Sequence, residues 1–80
     1  MTIMLRDDKP TFVGGYKLID FDGEEIPLKV GDVLRFYDGG TGKRRGDWTV
    51  EALDYRMLYV RRGETWLPFY NGEPLQPALF

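Results

Sequence analysis

The sequence predicts an all-β fold, a small closed barrel of five or six short antiparallel strands. Three observations carry this. Aromatic and β-branched residues gather in runs of about six between turn signals, which is the strand pattern. Ten Gly and five Pro are spread over eighty residues, so no stretch is left for a long uninterrupted helix. There is no Cys, so no disulfide can staple the fold and the core must suffice alone. Closure into a barrel would also remove the edges that a flat sheet this short could not protect.

The elements follow in order. Residues 1–10 read as an extended lead-in: the apolar start breaks at Arg6-Asp7-Asp8, and Lys9, before Pro10, avoids the helical region. Residues 16–21 are the first sure strand. Asp22-Gly23 is a hairpin signal, because Gly takes positive φ without steric cost. Residues 24–29 return as a second strand with Ile26 and Leu28 on one face, and Pro27 makes it an edge or an irregular ladder. Val30-Gly31-Asp32 turns tightly into a strand over 33–37. Residues 38–47 hold four Gly and no apolar side chain and read as a mobile, Gly-rich basic loop. Residues 48–53 alternate as a half-buried strand, and if Trp48, Val50 and Ala52 share a face, Trp48 is core. Asp54-Tyr55-Arg56 turns the chain into a strand over 57–61. Arg62-Gly63-Glu64 turns it again into residues 65–70, an edge strand on account of Pro68. Asn71-Gly72 is a further hairpin signal, and Pro74 and Pro77 make 71–80 an extended tail. Residues 1–80 are one domain. Few strands, one long loop and no helix fit an SH3-like or Tudor-like barrel, with an OB-like barrel as neighbour.

One cadence is familiar. Asp22-Gly23-Glu24-Glu25-Ile26, then Val30-Gly31-Asp32-Val33-Leu34-Arg35-Phe36, resembles the DxxGxEIxxGDIVxF segment of the YopX-like phage proteins. The stretch from Trp48 to Arg62 is similar to their second hairpin. The resemblance covers residues 20–62, and the insert after Tyr37 and the Pro-rich tail depart from it. It implies an SH3-like barrel and a phage or mobile-element origin. It carries across no activity and no functional residue.

Composition narrows the function. The formal net charge is -2, which argues against a generic salt-driven nucleic-acid binder. No apolar run reaches the length of a membrane span, and the N-terminus lacks the long apolar centre of a signal peptide. The expected location is therefore the cytoplasm, that of the host cell if the chain is phage-encoded. With no His, Cys or Ser in the sequence, neither a Ser-His-Asp nor a Cys-His nucleophile system can be built, nor a thiolate or imidazole zinc site. No cofactor motif and no metal site is expected, and the chain is read as not an enzyme.

Three constellations remain. Asp20, Asp22, Glu24 and Glu25 cluster at a hairpin tip; such carboxylates can hold a hard cation, but Asp and Gly are also what a solvated turn demands. Lys43-Arg44-Arg45 is either a flexible basic finger for phosphates or an acidic protein surface, or only a solvated loop. A nucleotide-binding loop is excluded by the lack of a following helix. The aromatics are needed for a core of this size. Yet Leu58 and Val60 share one face of their strand and Met57 and Tyr59 the other, so one set is left outside. The candidate site is thus Lys43, Arg44, Arg45, Tyr55, Tyr59, Arg61 and Arg62, on a monomer or small homo-oligomer. The expected function is a non-enzymatic binding module that grips, and as a phage product inhibits, a host protein. A nucleic-acid-binding barrel and a structural subunit of a virion or larger complex are the alternatives.

Overall fold

The structure is a computed structural model that describes residues 1–6, 11–19 and 23–75. The strands are β1 (Thr2–Arg6), β2 (Thr11–Val13), β3 (Lys17–Ile19), β4 (Glu25–Pro27), β5 (Val33–Tyr37), β6 (Arg44–Leu53), β7 (Met57–Arg62), β8 (Thr65–Tyr70) and β9 (Glu73–Pro74). No helix forms among the described residues, in line with the Gly and Pro content. The strands make a six-stranded sheet in the order β1-β5-β6-β7-β8-β9 and a three-stranded sheet in the order β2-β3-β4.

The core forms between the sheets. On the large sheet the inward side chains alternate strictly: Ile3 and Leu5, Leu34 and Phe36, Trp48 and Val50, Leu58 and Val60, Leu67 and Phe69 are all buried. Phe12, Leu18 and Leu28 from the small sheet and the segment after it complete the same cluster, with Ile26 packed against it. The Phe12 and Phe69 rings meet at 4.8 Å across the two layers. Trp48 Nε1 is buried and finds no acceptor among the described residues.

Closure is where the expectation fails. Among the described residues β1 and β9 are edges and do not pair with each other, so the large sheet is not a closed barrel. The small sheet supplies the second layer, and face-to-face packing buries the apolar side without curling the sheet shut. Nor are the strands all antiparallel, or only five or six. The segment read as a lead-in contributes β1, which pairs parallel with β5 from Thr2↔Val33 to Arg6↔Tyr37. A parallel pair needs a long crossover, and here the crossover contains the whole small sheet.

Other expectations meet their places. β3 and β4 form the hairpin signalled at Gly23, which has φ +83°; Asp20 and Asp22 lie outside the described residues. β4, with Pro27, is an edge strand. The turn into β5 is held by the buried Asp32, whose Oδ2 accepts the Lys29 N–H at 3.0 Å and whose Oδ1 is 3.2 Å from the Met1 ammonium. Asn71 and Gly72 both take positive φ, +48° and +88°, the two-residue hairpin turn expected of Asn-Gly. Residues 76–80 of the expected tail, and Lys9-Pro10, lie outside the described residues.

The loop of 38–47 is shorter than expected, because β6 begins at Arg44. What remains is a hydrogen-bonded turn: Asp38 Oδ1 accepts the N–H groups of Gly40 and Thr41, each at 2.8 Å, and the Asp38 N–H reaches the Lys43 carbonyl at 2.7 Å. β8 is not an edge, since it pairs with both β7 and β9. Pro68 is tolerated because its carbonyl accepts from Leu75 at 3.0 Å. Its missing donor therefore points to the β9 side, where the ladder ends.

Candidate functional site

The small sheet covers one face of the large sheet and leaves the other open. Strand alternation decides what that open face carries. In β7, Leu58 and Val60 point inward, so Met57, Tyr59 and Arg61 point out. In β8, Leu67 and Phe69 point inward, so Trp66, Pro68 and Tyr70 point out. The register sets these six side chains opposite one another as Met57↔Tyr70, Tyr59↔Pro68 and Arg61↔Trp66. Tyr59, Tyr70 and Trp66 keep 36%, 42% and 46% of their surface exposed, large values for side chains in a paired strand.

Arg61 is held in place. Its Nε donates to the Gly63 carbonyl at 2.6 Å, its Nη1 reaches Glu51 at 3.4 Å, and its Cζ lies 5.4 Å from the centre of the Trp66 ring. A guanidinium over an indole face is a favourable cation–π pair. It also presents a positive charge and an aromatic plane together in a fixed arrangement.

The other half of the open face is charged. Arg35 clamps Asp47 with two hydrogen bonds of 3.0 and 3.2 Å, and Arg44 joins the same carboxylate at 2.7 Å. Arg45 lies 3.6 Å from Asp38. The hydrogen bond from Arg35 holds the Asp47 carboxyl below the usual carboxylate range, with Arg44 helping, and the same bond raises Arg35. Asp38 is lowered by the N–H groups of Thr41 and Gly40, and Asp54 by those of Met57 and Arg56. All three carboxyls are depressed in the folded state. Their contribution to stability is therefore present above the unfolded value of about 4 and lost as the pH falls through the folded values. Thermal melts are expected to be flat from pH 7 to about pH 5 and to decline below about pH 4. A melting temperature that rises on acidification contradicts this.

The expected site residues do not form one patch. Tyr59 and Arg61 share the open face. Lys43, Arg44 and Arg45 lie at the start of β6, and Arg62 joins them at that end, its Nη1 only 2.8 Å from where a Cβ on Gly46 would stand. Arg62 belongs to the inward-facing set of β7 by alternation, and its guanidinium lies over Gly46. Tyr55 is separated from this cluster. It lies in the turn after β6, beyond a ten-residue strand and hence about 30 Å from Lys43. It is 80% exposed, with its ring 5.5 Å from that of Tyr16. Met57 lies outward with Tyr59, as the alternation of their strand predicts; Trp66, Pro68 and Tyr70 are the site residues the sequence reading missed. The buried Leu67 and Phe69, alternating with them, are the signal that finds them.

No group of three or more carboxylates converges among the described residues. Glu25, from the acidic cluster, instead pairs with Lys17 at 3.1 Å. Among the described residues no helix is long and apolar enough to cross a membrane. Comparison with protein-family models, curated proteins and solved structures gives no significant match.

Proposed function

We propose that this chain is a non-enzymatic binding module that recognises a partner protein through the open face of its six-stranded sheet. The observation that carries the reading is the exposed row of Tyr59, Trp66 and Tyr70 along the open face of β7 and β8, with Arg61 stacked on Trp66 and locked by Gly63 and Glu51. Tyr, Trp and Arg are the residues that dominate protein interfaces; Tyr and Trp lose little freedom for the area they desolvate, and Arg61 is already held by its hydrogen bonds. Lys43, Arg44, Arg45 and Arg62 at one end of the sheet favour approach to an acidic partner. The absence of His, Cys and Ser from the sequence supports a role without catalysis. The YopX-like cadence of residues 20–62 supports a phage or mobile-element origin, and with it inhibition of a host protein by occlusion in the host cytoplasm.

Immobilised protein is expected to retain a host-lysate protein. Trp66→Ala is expected to weaken that complex roughly 30-fold, the effect of a central anchor. Tyr55→Ala, at the far end, should leave it unchanged. The opposite ranking of the two variants removes the open face from the account.

The Arg61–Trp66 stack also favours a second reading, a single-stranded nucleic acid whose bases stack on the aromatics. Oligonucleotide binding that falls steeply with salt, and is abolished by Lys43→Glu, Arg44→Glu and Arg45→Glu together, would select it. No binding at low salt eliminates it.

A further inference from the structure

The large sheet ends at β1, and the pairing of β1 fixes which of its peptide groups face outward. The Val33 N–H donates to the Met1 carbonyl at 2.9 Å. In a parallel ladder the N–H and C=O of one residue point to the same side, and successive residues alternate. With Thr2 opposite Val33, the peptide groups of Met1, Ile3 and Leu5 therefore face β5. Those of Thr2, Met4 and Arg6 face the outer edge, where no strand pairs among the described residues.

Exposed edges invite another strand, and proteins blunt them with Pro, Lys or a bulge. The other edges carry such devices or are short. β4 has three residues and contains Pro27, β9 has two and contains Pro74, and β2 has three. β1 has five residues, Thr2-Ile3-Met4-Leu5-Arg6, with no Pro, one charged side chain, Arg6, at its last position only, and an unbroken register against β5. Met4 at its centre is 61% exposed.

The strand also complements itself. Antiparallel pairing of two copies about Met4 sets Met4 opposite Met4, Ile3 opposite Leu5 and Thr2 opposite Arg6. Buried apolar side chains meet apolar side chains, Arg6 meets Thr2 rather than a like charge, and the outward peptide groups of Met4 exchange hydrogen bonds across the axis. We propose that β1 is a homodimerisation edge, and that a second copy of this chain adds its own β1 antiparallel to it in this register. The two-fold axis stands perpendicular to the sheet. Both open faces then lie on one side, and the dimer presents a continuous, doubled recognition surface.

The test is the molar mass of the full chain by light scattering or sedimentation equilibrium over a range of concentrations. The unaltered chain is expected to approach twice its 9.3 kDa mass with increasing concentration. Met4→Pro removes only an outward-facing N–H, so it spares the ladder to β5 and is expected to give the single-chain mass. Met4→Arg keeps every peptide group but sets like charges opposite each other at the axis; it too is expected to give the single-chain mass, with an unchanged far-ultraviolet spectrum. A single-chain mass for the unaltered protein at every concentration overturns the proposal. So does a dimer that both variants leave intact.

Discussion

Gly15→Ala is expected to lower the stability of the fold by about 3 kcal/mol or more. Gly15 is buried in the turn between β2 and β3. A Cβ there would fall on the Met57 carbonyl and stand 2.5 Å from the Asp54 carbonyl oxygen. These are backbone atoms of the turn between β6 and β7, so no side chain can swing aside. The neighbouring Gly14, φ +63°, is also close, with the Tyr55 carbonyl oxygen 2.7 Å from its would-be Cβ. The glycine pair thus lets the small sheet close against the end of the large one. Forcing a methyl into that contact costs about 3 kcal/mol or more, against a total stability of roughly 4–12 kcal/mol for a chain of this length. Gly63→Ala is the control. Its φ is +59°, but nothing lies within 4 Å, so only the left-handed backbone is penalised, by about 1–2 kcal/mol. Urea unfolding of the two variants checks this. A Gly15→Ala protein as stable as Gly63→Ala would mean that the two sheets do not meet at this turn.

Phe69→Ala is the second large loss. Phe69 is fully buried on β8, with its ring against Phe12 of the small sheet. It therefore belongs to both layers, and its truncation leaves a cavity at their junction. Such substitutions cost about 3–5 kcal/mol, a large share of the total stability. Tyr70→Ala, one residue on but pointing to solvent, is expected to change stability by less than about 1 kcal/mol. Chemical denaturation of the pair measures the difference, and equal losses would contradict the assigned faces of β8.

These two residues also show where sequence reasoning reaches its limit. Period-two alternation made β5, β7 and β8 legible, and with them the exposure of Tyr59. Turn chemistry located Gly23, Val30-Gly31-Asp32 and Asn71-Gly72, because φ preference is a property of one residue. The parallel partner of β1 was not legible, since a parallel strand has no local turn to announce its mate. The bulge between Val50 and Ala52 was equally hidden; it breaks the expected alternation and leaves Ala52 exposed while Trp48 and Val50 stay in the core. Gly14 and Gly15 carry no local signal of what they do in the fold. Their role depends on the approach of a strand pair forty residues further along, which no local pattern encodes. The candidate site suffered in the same way. Sequence proximity joined Tyr55 to Tyr59, whereas the strand ladder joins Tyr59 to Pro68 and Arg61 to Trp66.

One face of the large sheet is open, with Trp66 outward and Trp48 inward. These are the only two tryptophans, so acrylamide quenching of their fluorescence reads both faces without any partner. Trp66→Phe is expected to leave a blue-shifted emission that acrylamide barely quenches in the folded protein. If the emission remaining in that variant is quenched as readily as that of the unfolded chain, Trp48 is in water and the assignment of the two faces is wrong.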